Sequence, residues 1–342
     1  MKIGLVGYQG SGKSTLFGWL TGVAPDPAQA HASQTAMATV HDPRVDQLVE
    51  IYAPKKITEA AIELVDTPGL ARDQKGNAAR LAAIRDCDCM IVVLAGFGAG
   101  NPKQDLSSFQ EDLALADLEI ISNRISRLEE SIKKPRPDRE DLIAEKTLLE
   151  SMQQQIEEGV SLRDLQISAD DEKSVRSFQL LSLKPLLAIV NTEDDEEDPQ
   201  RFESIGGDSI KVIPVPVGLE AELARMSPEE AAAFREEMGV GSFDRDPLVL
   251  AIMAGSGQML FFTAGEKEVR TWMFLEGGTA VDAADCIHSD LARGFIRAEV
   301  MTIDDLVRLG SEREVKAAGL ARQTMKDYVV QDGDVLFIKS GI

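Results

Sequence analysis

The sequence predicts an α/β protein in which helices cover both faces of a mainly parallel sheet. An antiparallel α-helical hairpin interrupts this domain, and a small β-grasp, ubiquitin-like module follows it. Three observations predict this organisation. Met90–Leu94 is one of several short, continuously apolar segments, which are typical of parallel strands buried on both faces. A long insertion then changes to helical apolar spacing, and short strands with one main helix occupy about the last 80 residues.

Length and composition limit the class of protein. A chain of 342 residues with 44% apolar and 27% charged residues is expected to form two or three soluble globular domains. The net charge of −22 argues against wholesale wrapping of nucleic acid, but it allows a local basic patch. The three cysteines lack metal-ligand spacing, and no apolar run is as long as a membrane span. We therefore expect a cytoplasmic protein with reduced thiols and no membrane partner.

The first twenty residues contain a phosphate-binding motif. Lys2–Val6 is a predicted strand, Thr15–Leu20 is a predicted helix, and the glycine-rich residues between them match G-x-x-x-x-G-K-[ST]. In such a P-loop, backbone N–H groups surround phosphate oxygens at the positive end of the helix dipole. Lys13 is predicted to be catalytic at the β- and γ-phosphates, and Ser14 is predicted to bind Mg²⁺. The predicted nucleotide-binding residues of the loop are Gly10, Ser11, Gly12, Lys13, Ser14 and Thr15. The alternative is a strand–helix turn without a ligand.

A second phosphate motif follows the predicted strand Ala60–Val65. Here Asp66-Thr67-Pro68-Gly69 forms a D-x-x-G motif about fifty residues after the P-loop. We expect Asp66 to hold the magnesium ion through water and the Gly69 N–H to act in catalysis at the γ-phosphate. Thr35, after an irregular segment, is the candidate that completes the Mg²⁺ shell. Its alternative is an ordinary position in a predicted strand Thr35–Val40.

A base-recognition motif follows the predicted strand Leu186–Val190. Asn191-Thr192-Glu193-Asp194 has the Asn-x-x-Asp form of guanine-specific P-loop switches, and it predicts that Asn191 and Asp194 bind the nucleotide. A solvated acidic loop is the alternative, because acidic residues continue to position 198. The last predicted strand of the sheet is Ile210–Val217. We add Val217 and Gly218 at its end to the nucleotide-binding residues.

The insertion is predicted to be a helical hairpin with a basic tip. Its first helix shows the 3-4 apolar spacing of a coiled-coil seam, and two prolines separate it from a second helix. Residues 124–139 contain six basic and three acidic residues, a net charge of +3. We predict that the tip contacts a phosphate backbone. Its alternative is an ordinary solvated helix end. The predicted contact residues are Lys133, Lys134 and Arg136.

The predicted domain boundaries follow from these segments. Residues 1–103 and 184–257 form the nucleotide-binding domain, residues 104–183 form the hairpin, and residues 258–342 form the C-terminal module.

With these elements placed, a family resemblance is carried by Gly7–Thr15, Asp42–Leu48, Asp66–Leu70, Leu113–Leu118, Lys184-Pro185, Phe262–Arg270, Ile287–Asp290, Gly294–Glu299 and Val330–Val335. In these residues the chain resembles the YchF family of Obg-related P-loop NTPases, and the resemblance covers almost its whole length. The resemblance implies a G domain, a helical-hairpin insertion and a C-terminal TGS domain. It also implies hydrolysis of ATP or GTP and association with the ribosome or a ribosomal subunit, in translation or stress control. The TGS domain and the hairpin tip are the expected contacts with ribosomal RNA or protein.

The sequence departs from the pattern of the family at several positions. Asp194 stands where relatives have glutamate, and Thr192 stands where guanine-specific switches have lysine. The loops around both phosphate motifs are short for the family, and the loop after Leu94 lacks the histidine of relatives. Leu70, as in the family, replaces the glutamine that orients water in Ras-like switches, so we expect it to anchor the loop. The nucleotide base is left open, and the alternative function is a nucleotide-dependent adaptor with little hydrolysis.

Overall fold

The computed structural model describes residues 1–26, 32–73, 76–135, 137–165 and 167–341. Their contacts divide the chain into two compact units. The N-terminal unit comprises residues 1–36 and 63–243, and the C-terminal unit comprises residues 37–62 and 244–342. Residues 37–62 thus group with the C-terminal part of the chain. The three predicted domain boundaries stay predictions.

The strands of the described residues are distributed over both units. They are β1 (Lys2–Val6), β2 (Gln34–Thr39), β3 (Ile57–Thr58), β4 (Ala61–Asp66), β5 (Cys89–Gly96), β6 (Leu186–Thr192), β7 (Val212–Val215), β8 (Gln258–Thr263), β9 (Val269–Leu275), β10 (Phe295–Thr302), β11 (Arg322–Thr324) and β12 (Asp334–Ser340).

The helices alternate with these strands in the first half of the chain. They are α1 (Lys13–Thr21), α2 (Pro43–Tyr52), α3 (Asn77–Arg85), α4 (Pro102–Ile132), α5 (Arg139–Glu157), α6 (Ala169–Val175), α7 (Val217–Leu223), α8 (Pro228–Met238), α9 (Arg245–Gly255), α10 (Ala280–Ile287), α11 (Ser289–Arg293), α12 (Ile303–Leu309) and α13 (Glu312–Ala317). Short 3₁₀ helices cover Leu162–Asp164, Arg176–Phe178, Leu181–Leu183 and Pro199–Gly206. None of the helices in the described ranges is long and apolar enough to cross a membrane.

The first sheet has six strands in the order β2-β4-β1-β5-β6-β7. The strand β1 pairs in parallel with β4 and β5, and the parallel pairing continues from β5 to β6 and from β6 to β7. Every residue of β6 is buried, as is most of β5. This confirms the predicted mainly parallel sheet. Parallel strands end at one edge, so the segments after β1, β4 and β6 lie together there.

One predicted strand of this sheet is too long. The sequence predicts a strand Ile210–Val217, but β7 ends at Val215. Pro216 is the N-cap of α7, and Val217 is the first residue of that helix. Proline has no N–H to continue the ladder, whereas its fixed φ suits a helix start. Val217 is therefore a helical residue, not a strand residue.

The helices α4 and α5 form the predicted hairpin. α4 has 31 residues, and its first half packs in the core of the sheet through Leu106, Phe109 and Leu113. Its second half packs against α5, where Arg124 donates two hydrogen bonds to Glu145, at 2.7 and 2.8 Å. The buried residues of this packing are Ile121, Ile125, Leu128, Leu149, Met152 and Ile156.

The C-terminal unit contains the second sheet, in the order β11-β10-β12-β8-β9-β3. The strands β8 and β9 are antiparallel, as are β10 and β12, whereas β12 and β8 are parallel. Ala283 of α10 packs with Phe261 and Val300 in a buried cluster on this sheet. The arrangement agrees with the predicted β-grasp module.

Residues 57–58 add a strand to this module that the sequence did not predict. The strand β3 pairs in parallel with β9, and Thr58 donates to Glu268 at 2.6 Å. The helix α2 is held to the same unit by Arg44, whose guanidinium donates to Asp332 at 2.7 Å. The segment Asp42–Leu48, noted above for its resemblance, therefore contacts the C-terminal module.

Two helices of the C-terminal unit differ from what their sequence predicts. The sequence predicts one helix from about Ala280 to Leu291, but His288 is extended and separates α10 from α11. Asp246-Pro247 predicts a helix start, but α9 starts at Arg245 and its N-cap is Asp244. Asp244 accepts a hydrogen bond from the Asp246 N–H at 3.1 Å, so the cap lies two residues earlier.

A fully buried carboxylate joins α4 to two neighbouring segments. Asp117 has no exposed surface and accepts hydrogen bonds from the N–H groups of Leu181 and Ser182, at 3.0 and 2.7 Å. Arg85, at the end of α3, also donates to it, at 2.9 Å. Asp117 thus holds the root of the hairpin to α3 and to the segment that enters β6.

Substitution Asp117→Ala should destabilise the N-terminal unit by about 3–5 kcal/mol, because it removes the acceptor of two backbone N–H groups and the carboxylate partner of Arg85. The sequence has two tryptophans, Trp19 in the N-terminal unit and Trp272 in the C-terminal unit. Urea unfolding followed by Trp19 fluorescence in a Trp272→Phe background measures this change. The exposed control Glu119→Ala should alter stability by less than about 0.5 kcal/mol. Equal stability of the two variants would contradict the role of Asp117.

Candidate functional site

The P-loop connects β1 to α1, and the side chain of its lysine is hydrogen bonded back to the start of the loop. The Lys13 ammonium donates to the Tyr8 carbonyl at 2.7 Å. Gly12 has a φ of 96°, and a Cβ there would lie 2.3 Å from the Asn191 amide nitrogen, so only glycine fits. The Ser11 hydroxyl is buried and has no hydrogen-bond partner among the described residues. A bound phosphate oxygen would satisfy it.

Lys13 is a buried cation. Only 6% of its surface is exposed, and burial lowers its pKa to about 8, although the charge of Asp66 opposes this shift. The nearby charge of Asp66 does not offset the cost of burying this ammonium, so the site favours an anionic ligand. This agrees with the predicted contact between Lys13 and phosphates.

Ser14 and Asp66 meet across the P-loop. The Ser14 hydroxyl donates to Asp66 Oδ2 at 2.6 Å. The other carboxylate oxygen, Oδ1, is buried and lacks a hydrogen-bond partner among the described residues. Burial raises the pKa of Asp66, while the hydrogen bond from Ser14 and the charge of Lys13 oppose the shift. A hydroxyl and an unsatisfied carboxylate oxygen are ligands that Mg²⁺ prefers, so the pair fits the predicted ion.

The segment after Asp66 lies against the P-loop. A Cβ at Gly69 would be 2.7 Å from the Lys13 ammonium and 3.0 Å from the Gln9 backbone, so a larger residue would displace both from their positions. Leu70 donates from its N–H to the Gly7 carbonyl at 2.9 Å and accepts from the Gln9 N–H at 3.0 Å. Its side chain is fully buried. Leu70 therefore anchors this segment, as predicted.

The P-loop and the D-x-x-G motif line one cleft of about 530 Å³. Sequence reasoning missed three of its polar lining residues outside the motifs, Asp26, Gln34 and Arg80. The Gln34 side chain accepts from the Asp26 N–H at 3.2 Å and donates to the Asp26 carbonyl at 2.9 Å. An aspartate and a glutamine in an irregular segment and an arginine in a helix carry no motif, so the sequence offered no signal for any of them.

Thr35 lies in β2, the alternative position that the sequence left open. Its side chain is exposed, and its neighbour Gln34 lines the cleft instead. A role for Thr35 in the Mg²⁺ shell stays a prediction. Thr15 is exposed in the first turn of α1. Ser14 and Gly10 line the cleft directly.

The Asn191 side chain connects three parts of the chain. Its Nδ2 donates to the Ser11 carbonyl at 3.2 Å, and its Oδ1 accepts from the Val217 N–H at 3.2 Å. Asn191 is 7% exposed. It therefore holds the P-loop and the start of α7 beside the end of β6. The structure gives Val217 a backbone contact with this motif.

The acidic loop after Asn191 is anchored. The Asp194 carboxylate accepts from the Leu219 N–H, and burial raises its pKa. A Cβ at Gly218 would lie 3.4 Å from the same carboxylate. Glu193 accepts from the Gly98 N–H at 2.6 Å and so holds the loop after β5. Glu193 and Asp194 are exposed, so the alternative of a solvated acidic loop stays open.

Two family models match this chain. One, described as a 50S ribosome-binding GTPase, matches residues 2–129. The other, YchF-GTPase_C, described as a protein of unknown function, matches residues 259–340. The ribosome-binding ATPase YchF of Bacillus subtilis (strain 168) is 32% identical over 367 aligned positions, covering 100% of this chain and 100% of the relative. The chain belongs to the YchF family.

Other members of the YchF family show the same extent of similarity. The ribosome-binding ATPase YchF of Escherichia coli O157:H7 is 34% identical and covers 98% of both chains. Obg-like ATPase 1 of Oryza sativa subsp. japonica is 36% identical, covering 100% of this chain and 92% of the relative. The solved structure of the Schizosaccharomyces pombe YchF GTPase has a TM-score of 0.83 at 24% identity, covering 99% of this chain and 97% of that one. It has the same fold.

The burial of Lys13 predicts a pH-dependent affinity for polyphosphate. Its pKa in the free protein is lowered to about 8, and a bound phosphate stabilises the protonated form. The affinity should therefore be highest below pH 8 and should decrease as the pH rises above it. Fluorescence titration with a labelled nucleoside diphosphate from about pH 7 to about pH 10 measures this dependence, by up to about tenfold per pH unit.

Two variants control this titration. Lys13→Gln should bind weakly and without this pH dependence, because it has no proton to lose. Lys133→Gln removes an exposed lysine and should leave the profile unchanged. A wild-type profile that is flat up to pH 10 is the result that contradicts the assignment.

Proposed function

We propose that this chain binds a nucleoside triphosphate with Mg²⁺ and hydrolyses its γ-phosphate slowly, as a ribosome-associated regulatory protein. The observation that carries the proposal is the cleft in which Lys13, the Ser14–Asp66 pair and Gly69 lie together. It is supported by relatives named ribosome-binding ATPase that align over the whole chain.

The residues of the cleft suggest a division of roles. The backbone of Gly10 to Thr15 would surround the phosphates, and Lys13 would bind the β- and γ-phosphates. Gly69 would present its N–H to the γ-phosphate, where charge accumulates during hydrolysis. Ser14 and Asp66 would hold Mg²⁺, and Thr35 is the remaining candidate ligand. When bound, the ion would neutralise charge on the phosphate oxygens.

The base of the bound nucleotide is proposed to be adenine or guanine, so that the substrate is ATP or GTP. The curated relatives are named ATPases, whereas the family model over residues 2–129 is described as a GTPase. Asn191, Asp194, Val217 and Gly218 are proposed to form the base site, since they meet at the end of β6. An Asp194 carboxylate can accept from the amine of either base, so its contact with Leu219 does not select one.

The proposed partner is the ribosome or a ribosomal subunit, which implies a cytoplasmic location. The hairpin tip offers exposed cations: Lys133 is 68% exposed and pairs with Glu130 at 2.5 Å, and Lys134 is exposed. Arg136 lies outside the described residues. Surface ion pairs of this kind are weak, so Lys133 can exchange Glu130 for an RNA phosphate. The C-terminal TGS-like module is proposed as the second contact.

One observation favours a second candidate function, a nucleotide-dependent adaptor with little hydrolysis. Leu70 is fully buried and hydrogen bonded through its backbone. No side chain at this position can therefore orient the attacking water.

Turnover measurements separate the two functions. The wild type should release phosphate from ATP or GTP, and Lys13→Ala should lower this rate at least about a hundredfold by removing transition-state charge stabilisation. Both proteins are compared with and without ribosomes. Wild-type turnover equal to that of Lys13→Ala under both conditions would establish the adaptor instead.

Co-sedimentation with ribosomes tests the hairpin tip. Binding should weaken with rising salt, and charge reversal at Lys133, Lys134 and Arg136 to glutamate should reduce it at least about tenfold, because phosphate contacts release counterions. The matched control reverses three other lysines, Lys103, Lys173 and Lys211, all of which are exposed. Equal losses in both triple variants, or no loss in either, argue against a specific contact at the tip.

A further inference from the structure

A second cation lines the phosphate cleft in addition to Lys13. Arg80, on α3, lines it together with Lys13, Ser14, Asp66 and Gly69. We propose that the Arg80 guanidinium contacts the γ-phosphate and stabilises the transition state of hydrolysis, as an arginine supplied by the chain itself. This inference rests on the proposed function, because it assigns a catalytic residue to that reaction.

The structure fixes Arg80 relative to the D-x-x-G segment through one side chain. Asn77 is 6% exposed, and its Oδ1 accepts from the Ala71 N–H at 2.8 Å and from Arg80 Nη1 at 3.1 Å. Its Nδ2 donates to the Ala71 carbonyl at 3.0 Å. Ala71 is two residues beyond Gly69. Asn77 is therefore a positioning residue that holds the arginine and the γ-phosphate segment in one arrangement.

Two other arginines near this segment bind carboxylates of α4. Arg72 donates from both Nη atoms to Asp105, at 2.6 and 2.8 Å. Arg85 donates to the buried Asp117. Neither is among the residues that line the cleft. Of these three arginines, Arg80 is the one that lines the cleft together with Lys13 and Gly69.

The chemistry of hydrolysis calls for such a group. Water attacks the γ-phosphorus, the bond to the bridging oxygen of the β-phosphate breaks, and the products are a nucleoside diphosphate and inorganic phosphate. The water protons end on phosphate oxygens or in solvent, so the arginine transfers no proton. A planar guanidinium can donate two hydrogen bonds to the γ-phosphate oxygens as charge spreads over them. Leu70 supplies no such stabilisation, so Arg80 would carry it.

The experiment compares wild type, Arg80→Ala, Arg80→Lys and the control Arg127→Ala, which removes an exposed arginine of α4. Single-turnover hydrolysis should fall at least about a hundredfold in Arg80→Ala, and Arg80→Lys should recover only part of the rate. The Kd for the nucleoside diphosphate should stay within about threefold of wild type, which also shows that the variant folds. Free guanidinium ion should raise the rate of Arg80→Ala.

A transition-state analogue provides the second measurement. The diphosphate with aluminium fluoride should bind wild type and Arg127→Ala tightly, and Arg80→Ala at least about tenfold more weakly. Arg80→Ala with the turnover of Arg127→Ala overturns the proposal and leaves hydrolysis intact. If Arg80→Ala loses affinity for the diphosphate and turnover to the same extent, the proposal is also overturned, because Arg80 then contributes to binding in the ground state and not to the transition state. Wild-type turnover no higher than that of Lys13→Ala overturns hydrolysis itself, and the Arg80 role with it.

Discussion

Two backbone hydrogen bonds between Leu70 and the P-loop determine where the chemistry can occur. They join the Leu70 N–H to the Gly7 carbonyl and the Gln9 N–H to the Leu70 carbonyl. These bonds place Gly69 beside the Lys13 ammonium, which would lie 2.7 Å from a Cβ at this position. Because β1 and β4 are parallel neighbours, the two phosphate motifs emerge at the same edge, and the Leu70 bonds then close them into one cleft. The buried leucine side chain gives this contact its stability, at the cost of a polar group that could orient water.

The parts that the sequence predicted well are those whose chemistry lies in consecutive residues. The P-loop is such a part, because its glycines, Lys13 and Ser14 act within one turn between a strand and a helix. The S-x-x-E pattern of Ser227 to Glu230 is another, because it predicts a capping box, and the structure contains both hydrogen bonds of that box. The hairpin could be predicted because its apolar seam repeats over many turns. In each case, local geometry determines the contact.

The parts that could not be predicted depend on residues that are distant in sequence or lack a pattern. β3 has two residues, too few to show a strand period, and it forms because β9 offers an open edge. Arg44 joins α2 to Asp332 across nearly the whole chain. Asn77 and Arg80 lie in a short helix that contains no recognisable motif. Only the fold brings Arg80 to the cleft that Gly69 also lines. The apolar neighbours of Val217 predict a strand there. Pro216 instead ends the hydrogen-bond ladder of β7, and Val217 begins α7.

The cleft and the hairpin tip are connected through the N-terminal unit itself. Arg72, two residues beyond Leu70, binds Asp105 with both Nη atoms and lies 4.8 Å from the centre of the Tyr8 ring. Tyr8, inside the P-loop, donates its hydroxyl to Asp112 at 2.9 Å. Both motifs are thus held to the first turns of α4, which continues for 31 residues, roughly 46 Å, to the basic tip. The P-loop, the segment after the D-x-x-G motif and the hairpin tip are therefore joined through one continuous helix, without an intervening loop.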